Sequence, residues 1–178
     1  MGGPRRRSTR LPGYDYSQAG AYFVTICTQD SICCLGEVIG GDFHASQVGE
    51  LVIRSWEWLP SRYPYVELDA WALMPNHMHG VLVLCDEPLS SIRRGGSRAA
   101  PTPSGRKPLG QLMGAFKTVS TKEVNRVRRS HGAPLWQRGF YEHIIRSEKD
   151  LARIRDYIIN NPAQWSPDRE NPDRRATA

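Results

Sequence analysis

Residues 67–84 read ELDAWALMPNHMHGVLVL, and this stretch decides the predicted fold of the chain. Its last four residues are apolar and rich in β-branched side chains, as in a buried strand. The Pro75-Asn76 pair that precedes the histidines is typical of a turn. We therefore predict two strands, 66–74 and 77–84, that form a hairpin around this turn.

Two polar residues, His77 and His79, interrupt the apolar pattern of the second strand. Because side chains alternate along a strand, both imidazoles lie on the same face of the sheet. Two neutral imidazoles side by side can bind one divalent metal through their ring nitrogens. The alternative is a pair of hydrogen-bonded core histidines. The His-Met-His sequence at the start of a strand, directly after Pro-Asn, favours the metal site.

Three elements are predicted before this hairpin. Residues 21–29, AYFVTICTQ, are rich in aromatic and β-branched side chains and predict a first strand. Residues 32–39 add a short hairpin before the Gly-Gly turn at 40–41. From Ser46 the apolar residues follow a helical period, which predicts a first helix that ends at Pro60.

Three elements are predicted after the hairpin. Apolar positions over 109–119 mark an amphipathic helix. Residues 135–146, LWQRGFYEHIIR, predict a final strand with an irregularity at Gly139. Ser147 then caps a last helix, and Pro162 stops it.

In chain order the elements run strand, helix, strand, strand, helix, strand and one more helix. This is the β-α-β-β-α-β order of the ferredoxin-like fold, an α+β antiparallel sheet, with a C-terminal helix added. The first and third strands of this topology are central, which places His77 and His79 in the middle of the sheet. The added helix carries Tyr157 and Asn161 one turn apart. Packed on that face, it could bring a further ligand and a nucleophile to the histidines.

The chain has 178 residues, about the length of one domain, and a net charge of +6. We expect a basic flexible leader over 1–13, one domain over 14–165 and a flexible tail over 166–178. Residues 86–108 are rich in Gly, Pro, Ser and basic side chains and predict a long mobile loop. The loop is either a basic arm that orders on a nucleic acid or an idle insertion. A polyanionic partner fits this charge, although an arginine-rich end can also be a solubilising tail.

Four cysteines, Cys27, Cys33, Cys34 and Cys85, do not form the Cys-x-x-Cys spacing of a zinc knuckle or a redox pair. They are predicted to be buried or reduced thiols. No apolar run approaches the roughly 20 residues of a membrane span, and the N-terminus lacks the apolar core of a signal peptide. We expect a soluble, cytoplasmic protein without a membrane partner.

Three sequence blocks occur in one order along the chain. WALMPN at 71–76 precedes the His77-Met78-His79 strand, WQRGFYEHIIR follows at 136–146, and DYIINNP at 156–162 comes last. Over residues 14–165 these blocks resemble the REP-associated tyrosine transposases, a group of single-tyrosine HUH nucleases. A His-x-His motif alone is a weak signal, whereas the three blocks in this order are specific.

The resemblance implies an enzyme that nicks and rejoins single-stranded DNA at a hairpin-forming, REP-type palindrome, as a monomer or homodimer associated with the nucleoid. By the resemblance, Tyr157 is the nucleophile and forms a 5′-phosphotyrosine. Asn161 takes the third metal-ligand position beside His77 and His79, where related transposases often place Gln. Hard Mg²⁺ or Mn²⁺ suits such a site. The covalent intermediate conserves the bond energy, so strand transfer needs no ATP.

Several further residues are candidates for roles around this site. Six are predicted DNA contacts: Lys117, Lys122, Arg126, Arg138, His143 and Arg146. His143 fits a structural hydrogen bond equally well, and Glu142 lies beside it on the strand predicted near the site. Tyr141 is the rival nucleophile, with core packing or base stacking as its favoured role.

Two other function classes stay open. A non-catalytic nucleic-acid-binding module of the same fold would need neither the paired histidines nor the tyrosine. A metal nuclease that activates water would need the histidines only.

Overall fold

The computed structural model describes residues 11–86, 105–166 and 171–172. Most of the predicted leader 1–13, loop 86–108 and tail 166–178 lies outside these ranges. Within them, no helix is long and apolar enough to cross a membrane.

The main elements of the described ranges follow the predicted order, including a hairpin after the first strand. They are β1 (Gly20–Cys27), β2 (Gly36–Ile39), β3 (Asp42–Ala45), α1 (Gln47–Arg62), β4 (Val66–Leu73), β5 (His77–Leu84), α2 (Leu109–Arg128), β6 (Tyr141–Ile145) and α3 (Glu148–Asn160).

Four antiparallel strands form the main sheet, in the order β4-β5-β1-β6. This confirms the ferredoxin-like α+β prediction, and the strand with the histidines is central. In the register between β1 and β5, Cys27 is opposite His77 and Thr25 is opposite His79. The histidines are therefore flanked by a strand on each side.

The two faces of the sheet are covered by different helices. On one face, α1 and α2 pack over a core that includes Tyr22, Trp56, Leu82 and Phe116. On the other face, α3 buries Ile154 and Ile158 against Phe23 and Val81. Burial on both faces explains why β5 is apolar along most of its length. Because of the strand alternation, His77 and His79 point to the α3 face.

Gly80 lets α1 approach the sheet closely next to the histidines. A Cβ atom at this position would lie 2.5 Å from Cζ2 of Trp56, which is fully buried. The Trp56 ring in turn packs edge-on against Phe116, with ring centroids 5.2 Å apart. Glycine is required here because of packing rather than because of its backbone freedom.

Two local predictions before the histidine strand were wrong. The hairpin predicted over 32–39 is instead formed by β2 and β3 around Gly40 and Gly41. Both glycines have positive φ angles, 62° and 94°, as a two-residue hairpin turn requires. The first helix does not end at Pro60 but includes it and continues to Arg62. A proline in the last turn removes only one backbone donor, and the final turn still closes.

Two predictions after the histidine strand differ in detail from the structure. The final strand covers 141–145 rather than 135–146, because Gly139 at φ 82° interrupts the extended backbone. Trp136 forms only an isolated bridge to Thr28. The buried stripe of α2 passes from Phe116 to Ser120 and Val124, so the predicted core position Val119 is only half-buried.

Candidate active site

His77 and His79 form a close, buried pair at the start of β5. Their Nε2 atoms are 3.0 Å apart, and the two residues are 0% and 4% exposed. Burial, and secondarily the charge of His77, lowers the pKa of His79 well below 6.5. The His79 ring is therefore neutral at pH 7, which is the form that binds a metal.

Hydrogen bonds to the other ring nitrogens orient both imidazoles. His77 Nδ1 lies 2.9 Å from Asn76 Oδ1, and the Asn76 amide nitrogen donates to the Ser31 carbonyl. Since Oδ1 only accepts, His77 donates from Nδ1 and its Nε2 carries the lone pair of the ring. Thr25 Oγ1 lies 2.8 Å from His79 Nδ1. Asn76 and Thr25 thus turn both Nε2 atoms toward each other, as outer partners of metal-binding histidines do.

Tyr157 reaches this pair from α3. Its hydroxyl lies 3.2 Å from His79 Nε2, and the residue is 44% exposed. Phe23 stacks on the His79 ring at 5.5 Å and meets the Tyr157 ring edge-on at 6.2 Å. The phenol is therefore held against the histidines on one side and is open to solvent on the other.

Asn161 lies one helical turn after Tyr157, whose hydroxyl contacts His79. Trp165 lies one turn further along the chain, and its ring centroid is 6.0 Å from that of His77. Asn161 is 2% exposed, and its Oδ1 has no hydrogen-bond partner within the described ranges. A buried polar atom left unpaired costs about 1–3 kcal/mol, which a cation would offset.

These donors fit a divalent metal ion. The described residues contain no group of three or more His, Cys, Asp or Glu side chains that could hold a metal, so a third protein ligand must be of another type. The orphaned amide oxygen of Asn161 is such a group. Two nitrogens 3.0 Å apart are also spaced like neighbouring ligands of an octahedral ion with bonds of about 2.1 Å. Ligation by His77, His79 and Asn161 stays a prediction that the donor geometry supports.

An ion pair fixes the helix that carries Tyr157 to the edge of the sheet. Arg155 donates from Nε and Nη2 to the two carboxylate oxygens of Asp69, at 2.7 and 2.5 Å. Asp69 lies in β4, where the register to β5 shifts between Leu68 and Trp71. The Arg155 hydrogen bond holds the pKa of Asp69 below its usual value. Sequence inspection missed this pair because its partners are 86 residues apart.

The neighbouring candidates on β6 divide between the two faces. His143 accepts or donates a 2.8 Å hydrogen bond with Asp150 at the start of α3, which matches the structural alternative predicted for it. Tyr141 is 48% exposed and lies edge-on to Phe23, so its predicted core role is wrong and base stacking remains.

Glu142 pairs with Val24 and points to the opposite, α2 face. Its predicted position near the histidines is wrong because side chains alternate along the strand.

The structure does not bring the predicted α2 cations to the histidines, since α2 packs on the other face of the sheet. Lys117 donates to the carbonyls of Gln137 and Gly139, and burial lowers its pKa to about 8. Arg126 pairs with Glu123 at 2.8 Å. The remaining predicted contacts are exposed: Lys122, Arg138 and Arg146. DNA binding by these side chains stays a prediction.

The chain is similar in sequence to two proteins of Haemophilus influenzae. No family model matches it. An "Uncharacterized protein" of Haemophilus influenzae is 35% identical over 170 residues, which are 92% of this chain and 91% of the relative. A "Putative REP-associated tyrosine transposase" of the same organism is 25% identical over 154 residues, 84% of this chain and 74% of the relative.

A solved structure shares the fold. The REP-associated tyrosine transposase bound to a REP hairpin matches with a TM-score of 0.58 at 19% identity, over 88% of this chain and 73% of that one. The chain therefore belongs to one family with the Haemophilus influenzae protein at 35% identity, is similar in sequence to a REP-associated tyrosine transposase and shares the fold of another.

Proposed function

We propose that the protein is a metal-dependent endonuclease and strand transferase that cuts single-stranded hairpin DNA through a 5′-phosphotyrosine on Tyr157. One observation carries this proposal: the Tyr157 hydroxyl lies 3.2 Å from His79 Nε2, beside a pair of histidines oriented for metal binding. A related structure holds a REP hairpin, which supports folded single-stranded DNA as the substrate.

In the proposed reaction, the Tyr157 oxygen attacks a backbone phosphorus while the bond from phosphorus to the 3′ oxygen breaks. The phenol proton passes to solvent, which the half-exposed side chain can reach, and the leaving 3′ oxygen takes up a proton. A bound Mg²⁺ or Mn²⁺ would stabilise the charge that develops on the phosphate oxygens. Attack of a 3′ hydroxyl on the phosphotyrosine then rejoins a strand and releases Tyr157.

Phe23 and the α3 contacts hold the nucleophile in place before DNA binds. The edge-on contact with Phe23 restricts the Tyr157 ring, and the Asp69–Arg155 pair fixes the helix two residues earlier. Such preorganisation lowers the entropic cost of reaching an in-line geometry.

The proposal is tested by the chemistry of the cut ends. A labelled hairpin oligonucleotide incubated with the protein and Mn²⁺ should yield one fragment with a free 3′ hydroxyl. The 5′-phosphate of the other fragment should resist phosphatase, because it is bonded to Tyr157. Excess EDTA, or His77→Ala in a protein that still folds, should abolish cutting. Full cutting in EDTA would contradict the metal requirement. A free 5′-phosphate would favour the water-using metal nuclease instead.

A further inference from the structure

A cleft of about 620 Å³ lies between α2 and residues 130–136. Its walls belong to the face of the sheet opposite the histidines, so it is separate from the candidate active site. We call it the α2 cleft. It is lined by Lys117, Thr118, Thr121, Lys122, Asn125, Arg126, Ser130, His131, Gly132, Ala133, Pro134, Leu135 and Trp136.

The charged side chains of the α2 cleft are all basic, and no acidic residue lines it. Within the described ranges, the side chains of Lys122 and His131 make no ion pair or hydrogen bond. Arg126 pairs with Glu123, but the Arg126 side chain is 74% exposed. An ion pair at such an exposed site contributes about 0–1 kcal/mol and exchanges readily for another anion. The cleft therefore favours a negatively charged ligand.

The remaining walls favour a ligand with a flat, partly apolar ring. Ala133, Pro134 and the buried pair Leu135 and Trp136 supply the apolar side, and the hydroxyl of Thr121 lies on the helical side. The volume falls within the roughly 300–1,000 Å³ of typical small-ligand sites. Phosphate, base and sugar together combine the required charge, ring and hydrogen-bonding groups. A nucleotide unit matches the cleft better than an inorganic anion alone.

The backbone connects the α2 cleft to the candidate active site. Lys117 at one end of the cleft holds the carbonyls of Gln137 and Gly139. Gln137 N–H in turn donates to the carbonyl of Cys27, which lies opposite His77 in the sheet. Residues 137–140 lead directly into β6, which is an edge strand of the sheet. Arg138 and Tyr141 are exposed along this edge.

We propose that the α2 cleft binds a nucleotide of the single-stranded DNA that flanks the hairpin, after the strand passes around the β6 edge from Tyr157. The identity of the ligand as DNA rests on the proposed function. Lys122, Arg126 and His131 contact the backbone phosphate, and the base lies against Pro134. Such a second contact would hold the flanking strand in register with the nucleophile.

Photo-crosslinking tests this directly. The photoreactive residue p-benzoylphenylalanine replaces Thr121 in the α2 cleft or, as the matched control, the exposed Glu57 on α1. Each protein is irradiated in EDTA with a hairpin that carries single-stranded tails. We expect the tail to crosslink at position 121 and not at position 57. Absence of a crosslink at position 121 would overturn the proposal.

A binding measurement completes the test. Lys122→Gln combined with Thr121→Trp, which fills the cleft, should weaken binding of the tailed hairpin about tenfold and leave the tail-free hairpin unchanged. Arg54→Gln on α1 removes the same charge elsewhere and should affect neither DNA. Equal loss for both DNAs would contradict a site for the flanking strand. Because EDTA blocks cutting, the crosslink at position 121 is scored independently of the chemistry. A crosslink in EDTA together with no covalent Tyr157 product in Mn²⁺ would keep the cleft and refute only the proposed chemistry.

Discussion

The proton positions on two imidazoles decide whether the site can take a metal. Asn76 fixes the Nδ1 proton of His77, so its Nε2 lone pair points at His79. In the metal-free protein His79 can donate from Nε2 to that lone pair while accepting from the Thr25 hydroxyl. A metal requires the His79 proton to move to Nδ1, where Thr25 then accepts it. The Thr25 hydroxyl suits both states because it can donate or accept.

A prediction at the same scale tests whether Asn161 is the third protein ligand of the metal. Asn161→Ala should weaken Mn²⁺ binding about tenfold or more, because it removes the one buried amide oxygen that has no partner among the described residues. The unfolding temperature without metal should change little, since no hydrogen bond of that oxygen is lost. Isothermal titration calorimetry measures the affinity. Asn160→Ala, which alters an exposed neighbour, is the control, and equal Mn²⁺ affinity in both variants would exclude Asn161 as a ligand.

At the scale of elements, the tyrosine helix is fastened at both ends of its buried face. Ser147 caps its first turn by accepting from the Asp150 N–H, and the Asp150 carboxylate binds His143 on β6. Arg155 binds Asp69 on the other edge strand, β4. The helix therefore spans the sheet from β6 to β4 and brings Tyr157 over the central strands between them.

The Asp69–Arg155 pair predicts how the stability of this helix depends on pH. Arg155 depresses the pKa of Asp69 in the folded state, so the pair stabilises the fold fully above the unfolded aspartate pKa of about 3.9. That stability is lost as the pH falls through the folded pKa. The difference in unfolding free energy between wild type and Asp69→Asn should be largest near pH 7 and should shrink below pH of about 4.

Chemical denaturation at several pH values measures this difference. Arg153→Gln serves as the control, because its pair with Asp150 is exposed and does not join the helix to β4. A difference for Asp69→Asn that stays constant down to acid pH would show that the ion pair does not fasten the helix.

Elements with a local sequence pattern could be predicted from the sequence, whereas contacts formed only in the folded chain could not. The histidine strand and the capped last helix carry local signals. The signal of the strand is its continuous apolar, β-branched run after the Pro-Asn turn, and that of the helix is Ser147 with the apolar stripe that follows it. The β2–β3 hairpin was misplaced because β3 is short and half polar, so only its Gly-Gly turn stands out. Thr25 and Asp69 were missed as partners of the site because each meets its partner only through strand pairing or helix docking. No local pattern marks either contact.

For the whole molecule, the sheet separates the face that carries the candidate active site from a basic face. The α3 face holds the histidines and Tyr157, and the α2 face holds Lys122 and the α2 cleft. In the proposed path, DNA that uses both faces passes the β6 edge. The net charge of +6 favours this polyanion at either face.

The charge distribution predicts the salt dependence of DNA binding. Affinity for a hairpin oligonucleotide should fall steeply with salt, with a logarithmic slope of about 0.7 for each single-strand phosphate contact. The folded single strand should bind more tightly than a plain duplex of the same sequence, because its flanking strand can reach both faces. Fluorescence anisotropy at several salt concentrations measures both. Equal affinity for hairpin and duplex would favour a generic nucleic-acid-binding module.

The proposed reaction depends on Tyr157 as the nucleophile, and a covalent-adduct assay tests this role. A labelled single-stranded hairpin incubated with the wild-type protein and Mn²⁺ should give a covalent protein–DNA band on a denaturing gel. Tyr157→Phe removes one oxygen and should abolish the band while the fold and DNA affinity persist, whereas Tyr141→Phe should retain it. A band that persists in Tyr157→Phe and maps to Tyr141 would contradict the assignment of the nucleophile.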